Sequence, residues 1–299
     1  MEVLTNILKG LMTRYKDRIP DVNKITTAMI EMGMIASEAT IENDHIAFRT
    51  LGVPNLGIES LEKIFLFHGY KKEDSYNFEE KKLNAYWYSP PTPSFPRVFI
   101  SELRVDELPI EQQKIIIKYT QKISKDPVDS LNLNSVSEVD SFLHSPLWEL
   151  PTIADFNKLA EVSEYASWVI YNRYYLNHYT ISVHNLPSPY NQLIEFNLFL
   201  KDIGIELNQS GGEIKKSPDG LLLQSASISK LLTAVFKNNE TKQIAGSYVE
   251  FAERKILDQY KNLPLTAINR THRKEGFEAS NADKIFESTY TSQTNSLKK

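Results

Sequence analysis

Two histidines in this chain open alternating stretches of one design. Asp44-His45-Ile46-Ala47-Phe48-Arg49-Thr50-Leu51 and Asn177-His178-Tyr179-Thr180-Ile181-Ser182-Val183 each begin with an acid or amide, continue with histidine, and then alternate. Strand side chains alternate faces, so His45, Ala47 and Arg49 share one side, as do His178, Thr180 and Ser182. A later stretch, Tyr248-Val249-Glu250-Phe251, centres a carboxylate on a strand, and Glu102 sits in a similar run, Arg97–Leu103. Two neutral imidazoles and one carboxylate make the facial set that suits non-haem Fe(II) and leaves coordination positions open. His45, His178 and Glu250 are therefore the candidate metal ligands. By order of strands Glu102 matches Glu250, and stands either as a fourth ligand or as a structural group. Arg49, on the face of His45, carries the fork that grips a carboxylate at two points.

Each of these residues also has an ordinary explanation. A strand histidine taken alone is more often a core or surface side chain than a ligand, and Arg49 can pair with a surface carboxylate. The repeat shifts that balance, because one coincidence must happen twice. His184 continues the parity of His178; it is either a group that orients a ligand from behind or an exposed turn residue. His68 and His144 fall in helical contexts, and His272 lies in the charged run Arg270–Lys274, which reads as solvated surface.

The elements that must position these residues follow from periodicity. Val3, Ile7, Leu8 and Leu11, then Ile25, Met29 and Met32, recur at helical spacing. The first strand turns at Gly52, Pro54, Asn55 and Gly57 into an amphipathic helix, Ile58 to Phe67, that stops at His68-Gly69. Strands follow, Asn84–Tyr88 and Arg97–Leu103 being the clearest, with four prolines punctuating the link. Residues 108–176 read as helical. A second strand at 177 leads into the helix Leu193–Leu200, ending at Ile203-Gly204, and then into strands Leu221–Ser225 and Tyr248–Phe251. The order strand, helix, three strands thus occurs twice. The predicted fold is α+β: two βαβββ modules forming a cupped sheet around a metal site. The whole chain, 1–299, is read as one domain: 1–43 helices, 44–107 first module, 108–176 helical insertion, 177–256 second module, 257–299 a closing segment.

Composition narrows the chemistry further. Hydrophobic residues at 41% and charged residues at 24% are ordinary for a globular core. A formal charge of -4, from 34 basic and 38 acidic residues, argues against a broad nucleic-acid surface, which needs clustered lysine and arginine. With no cysteine there is no disulfide, thiolate nucleophile or thiolate-bound metal, so a metal must use histidine, carboxylate and water. No run approaches the roughly 18 apolar residues of a membrane span, and no signal peptide is evident, so the expected location is cytoplasmic. Neither a Gly-x-Ser-x-Gly elbow nor a phosphate-binding glycine loop is present.

These residues together bring out a likeness. His45-Ile46-Ala47-Phe48-Arg49, Asn177-His178-Tyr179-Thr180, the run Ser217–Ser225, Tyr248–Arg254 and Phe277–Phe286 make the chain resemble the 2-oxoadipate dioxygenase/decarboxylase family, in its shorter bacterial and plant branch, whose fold is related to the vicinal oxygen chelate enzymes. The resemblance implies metal ligands at His45, His178 and Glu250, a substrate-binding arginine at Arg49, and a segment around Ser280 and Asn281 that returns over the pocket to touch substrate. Gln224, on the strand beside Glu250, is added as a pocket-lining polar group. The implied reaction converts 2-oxoadipate and O2 into 2-hydroxyglutarate and CO2 in lysine catabolism, with Fe(II) as cofactor, and with no nucleic-acid or membrane partner. Two other readings keep the fold: a glyoxalase- or epimerase-like enzyme with a redox-inert metal and Glu102 as fourth ligand, and a non-catalytic binding module. Oxygen dependence and tight binding of a divalent ion separate the three.

Overall fold

Residues 1–295 are described in a computed structural model; the last four residues of the expected closing segment, 296–299, lie outside them. Helices α1 (Glu2–Arg18) and α2 (Pro20–Glu31) lead the chain. Leu4, Ile7, Leu11 and Tyr15 bury one stripe of α1, and Pro20 opens α2 where its missing N–H has no helical partner to lose. The first module is β1 (Asn43–Leu51), α3 (Ile58–Phe67), β2 (Lys71–Phe78), β3 (Leu83–Ser89) and β4 (Arg97–Leu103). Helices α4 (Ile110–Thr120), α5 (Val136–His144), α6 (Ile153–Ala160) and α7 (Glu164–Asn172) intervene. The second module is β5 (His178–Ser182), α8 (Leu193–Asp202), β6 (Lys215–Lys216), β7 (Leu222–Ala226), an inserted hairpin β8 (Leu231–Val235) and β9 (Thr241–Ala245), and β10 (Tyr248–Arg254). Short helices α9 (Ala279–Ile285) and α10 (Thr291–Thr294) end the described chain.

The eight-stranded sheet runs β2-β3-β4-β1-β5-β10-β7-β6, with β8 and β9 forming a separate pair. Each module closes on a parallel pair, β1 with β4 and β5 with β10, and the modules join through the antiparallel pair β1 and β5. The expected α+β fold of two βαβββ modules is the one found, curled into a half-barrel. Both module helices end on a glycine of positive φ, Gly69 (88°) and Gly204 (72°), a backbone conformation that side chains with a Cβ resist. On the convex face Phe65 of α3 packs on Phe48, and Phe196 of α8 on Phe251. Strands β1 and β10 are buried almost throughout, as befits the middle of a sheet covered on both faces.

Three elements escaped the periodicity, the shortest being the two-residue strand β6. Strand β2 is an exposed edge opening Lys71-Lys72-Glu73-Asp74, with little apolar alternation to mark it. The hairpin β8–β9 belongs to neither module's pattern; Phe236, just after β8, packs on Phe156 and Tyr171 and ties the helical insertion to the second module. The insertion also reaches the sheet directly. Tyr165 of α7 accepts a hydrogen bond from the Thr50 N–H (3.1 Å) and bonds Ser101 (2.9 Å).

Candidate metal centre

Strand β1 presents His45 and Arg49, β5 presents His178, and β10 presents Tyr248 and Glu250 to one cavity. Its free volume is about 20 Å³, room for little more than a water molecule between the side chains. Phe99, Gln224, Phe277, Ile285 and Phe286 complete most of its wall. The ligand atoms of His45, His178 and Glu250 all lie within 4.8 Å of one another, and no other such trio of histidine and carboxylate groups occurs among the described residues. The separations are 3.3 Å between the two Nε2 atoms, 3.5 Å from His45 Nε2 to Glu250 Oε2, and 3.1 Å from His178 Nε2 to the same oxygen.

These distances fit a shared cation. Ligand atoms each about 2.1 Å from one centre stand about 3.0 Å apart at right angles and about 3.4 Å apart in a tetrahedron. The tautomers fit as well. His45 Nδ1 bonds Asp44 Oδ1 at 2.8 Å and His178 Nδ1 bonds Asn177 Oδ1 at 3.1 Å, so both ring protons sit on Nδ1 and both Nε2 lone pairs face inward. Two facing lone pairs beside a carboxylate repel unless a proton or metal ion lies between them. The Thr180 hydroxyl, 3.1 Å from His45 Nε2, flanks the same point.

The electrostatics differ between the two imidazoles. Burial lowers His45, but Glu250 and Asp44 outweigh it and the net shift is upward. Burial prevails at His178, which is lowered despite Glu250. Burial would raise Glu250; the two imidazoles overcome that and hold its carboxyl well below the usual range. Asp44 behaves likewise, because Arg254 and Arg97 outweigh its burial. Arg254 grips Asp44 through Nε at 2.7 Å and Nη2 at 3.0 Å, and Arg97 reaches it at 3.2 Å. Arg97 in turn bonds Glu275, and Arg254 bonds the carbonyls of Lys274 and Gly276, so the closing segment helps lock the His45 side.

The remaining sequence candidates are placed as follows. Gln224 lines the cavity, but its amide donates to Glu250 Oε1 at 2.6 Å and its oxygen accepts from Asn281 at 3.0 Å. Asn281 thus acts on Glu250 through Gln224. Ser280, expected to touch substrate, is exposed and lines no part of the cavity; one residue along a helix turns a side chain by about 100°, so Ser280 faces out where Asn281 faces in. Arg49 is 1% exposed and held by Thr289 Oγ1 and the Phe286 carbonyl, both at 2.9 Å. His184 touches none of the three ligands. It sits in a turn beyond β5, and its Nδ1 accepts the Arg254 N–H at 3.2 Å.

Glu102 requires a correction. In β10 Tyr248 stands opposite His178 and Glu250 opposite Thr180; in β4 Arg97 stands opposite His45 and Phe99 opposite Ala47. Phe99, and not Glu102, occupies the position equivalent to Glu250. Glu102 points to the other face, where Oε2 accepts the Ile58 N–H at 2.8 Å and stabilises the start of α3. A Cβ at Gly57 would collide with that carboxylate, which accounts for the glycine. Strand parity alone carried the information, since position 102 is odd-stepped from position 99. Phe99 and Tyr248 were missed as cavity residues because nothing in their types marks them, and the register brings them there; Thr180 was placed on the face of His178, but its contact with His45 was not foreseen.

A family model described as 2-oxoadipate dioxygenase/decarboxylase matches residues 7–269. The chain belongs to this family. Among relatives, the chloroplastic 2-oxoadipate dioxygenase/decarboxylase of Arabidopsis thaliana is 41% identical, over 96% of this chain and 78% of its own length. The chloroplastic/amyloplastic protein of that name from Oryza sativa subsp. japonica is 44% identical, over 84% and 70%. The crystal structure of the Oryza sativa hydroxyglutarate synthase in complex with 2-oxoadipate superposes with a TM-score of 0.87 at 40% identity, covering 97% of this chain and 92% of that one. That superposition extends the family likeness past residue 269, where the family model stops, into the closing segment. A glyoxalase superfamily protein from Ralstonia eutropha shares the fold, with a TM-score of 0.69 at 17% identity over 91% of this chain and 85% of its own.

Proposed function

We propose that this protein is an Fe(II)-dependent enzyme that converts 2-oxoadipate and O2 into 2-hydroxyglutarate and CO2, working in lysine catabolism in the cytoplasm. The observation that carries the reading is the convergence of two Nε2 lone pairs and one carboxylate oxygen within 3.5 Å of each other, at the floor of a buried cavity that also holds an arginine. Phe99 in place of a fourth carboxylate leaves three protein ligands, so the glyoxalase-like reading loses Glu102 as its fourth ligand and the three-ligand facial set is favoured.

Iron held by His45, His178 and Glu250 would activate oxygen and act as a Lewis acid toward the oxo acid, which itself provides the electrons that reduce O2. The protein's own residues do the positioning. Asp44 and Asn177 keep each Nδ1 protonated and each Nε2 free. Gln224, backed by Asn281, fixes the second oxygen of Glu250. Arg49 binds a substrate carboxylate and orients the chain, while Phe99, Phe277, Ile285 and Phe286 keep water out. The atoms balance: the first carbon leaves as CO2, one atom of O2 completes the new carboxylate, and the other becomes the hydroxyl.

The test is oxygen uptake coupled to CO2 release from 2-oxoadipate with Fe(II)-loaded protein. His178→Ala is expected to abolish both. Oxygen consumption unchanged by that substitution removes the ligand set, and turnover that persists without oxygen transfers the protein to the redox-inert class.

A further inference from the structure

Two polar groups in the cavity wall are buried without a hydrogen-bond partner, the Tyr248 hydroxyl and the Nε of Arg49. Such orphans are uncommon in native interiors and call for an explanation. Arg49 reaches the cavity from β1 and Tyr248 from β10, on either side of β5. The outer nitrogens of Arg49 are fixed by Thr289 and Phe286. Tyr248 is fixed too: it is 1% exposed, its ring lies on the His178 imidazole at 4.8 Å and 31°, and it packs with Ala226 and Ile285. The phenol oxygen stands beside Arg49, near enough to feel its charge and to take a weak, poorly aligned hydrogen bond from it, and the hydroxyl proton has no acceptor.

A fixed guanidinium with donor capacity to spare and a fixed phenol whose proton has no acceptor therefore look into one cavity. The group that completes them is an anion with two acceptor oxygens, a carboxylate. Arg49 stands four residues along β1 from His45, about 13 Å of extended strand. The guanidinium reaches back along that strand face into the histidines' cavity, near enough to His178 to act on its charge, which puts it within reach of the second carboxylate of a diacid whose 2-oxo end lies at the histidines.

We propose that Tyr248 is a specificity-determining residue, whose hydroxyl donates a second hydrogen bond to the far carboxylate that Arg49 holds. It makes the site selective for 2-oxo diacids over 2-oxo acids with an apolar tail. The proposal rests on the functional reading above and deepens it. The phenyl ring of a Tyr248→Phe variant keeps the stacking on His178 and loses only the donor.

The experiment compares wild type and Tyr248→Phe, loaded with Fe(II) under anaerobic conditions, by calorimetric binding of 2-oxoadipate and, in competition, of 2-oxohexanoate. Divalent-ion affinity without substrate and thermal unfolding are measured alongside. The variant is expected to lose about ten- to a hundredfold in affinity for 2-oxoadipate, the range of a hydrogen bond to a charged group. Its affinity for 2-oxohexanoate and for the ion should stay within about twofold of wild type, below the tenfold that 1.4 kcal/mol represents. Equal losses for both acids, no loss for either, or a loss of ion affinity overturns the assignment. If wild type binds 2-oxoadipate and Tyr248→Phe binds it equally well, only the tyrosine's role falls. If wild type binds neither acid, the functional reading falls with it.

Discussion

The two halves of the sheet share a plan and differ in charge. Each offers a histidine early on a central strand, and each orients that histidine with the residue just before it. In the first half the orienting group is an anion, Asp44, clamped by Arg97 and Arg254. In the second it is the neutral Asn177, whose amide nitrogen has no partner. The positions equivalent to each other on the closing strands carry Phe99 in one half and Glu250 in the other. A symmetric backbone thus holds an asymmetric site. The first half supplies a rigid, charge-locked imidazole and the apolar wall, and the second supplies the carboxylate.

The largest expected effect comes from removing what the second half alone provides. Glu250→Gln should lower oxygen uptake on the order of a thousandfold or more, since several kcal/mol of metal-dependent stabilisation are lost. Titration with a divalent ion should show the same variant failing to bind tightly. Restoring the symmetry is the next test. Phe99→Glu places a carboxylate where the fold's pseudo-symmetry expects one; turnover should fall by about a hundredfold while ion binding is retained. Turnover that survives Phe99→Glu would mean that the three-ligand asymmetry has no bearing on the chemistry.

Asp44→Asn makes the first half resemble the second. It leaves two buried arginines facing a neutral amide, and unfolding measurements should show a loss of about 3–5 kcal/mol, with ion affinity reduced about ten- to a hundredfold. The reciprocal Asn177→Ala removes a neutral partner only and should cost about 1 kcal/mol. Similar losses from the two substitutions would show that the charge difference between the halves is incidental.

The smallest effect concerns acid. His184 is held neutral by burial, with Arg273 and Arg254 nearby, and titrates at about 3 in the fold. In the unfolded chain it titrates at about 6.5. The unfolded state binds the extra proton between those values, so stability is complete above about 6.5 and declines as pH falls toward about 3. His45 runs the other way: its raised value stabilises the metal-free fold at low pH, an effect lost as pH rises through that value, and protonation there competes with the ion. His184→Asn, which can still accept the Arg254 N–H, should recover about 1 kcal/mol at about pH 6 in thermal unfolding. An unchanged acid limb would show that His184 is solvated.

The legible part of the site was the part that repeats. Asp44-His45 and Asn177-His178 share a local signature, and Glu250 lies on a strand apolar enough to be read as one. Arg49 followed from parity with His45. The misreading of Glu102 shows where that method stops. Matching strands by order places a glutamate near the right height, but a strand has two faces, and being off by an odd number of residues puts the side chain on the wrong one. Ser280 and Asn281 show the helical form of the same difficulty. Strand β2 was faint because an exposed edge carries no apolar stripe.

The sequence by itself determined the two modules, their order, the histidine pair and the absence of sulfur ligands, because apolar period, turn residues and composition are local properties. Only the tertiary structure decided that Phe99 faces Ala47, that two arginines converge on Asp44 from β4 and β10, and that the Tyr248 hydroxyl and Arg49 share a wall. Those facts depend on pairing register and on contacts between segments far apart in the chain, and a shift of one residue in register, invisible to local pattern, reverses them.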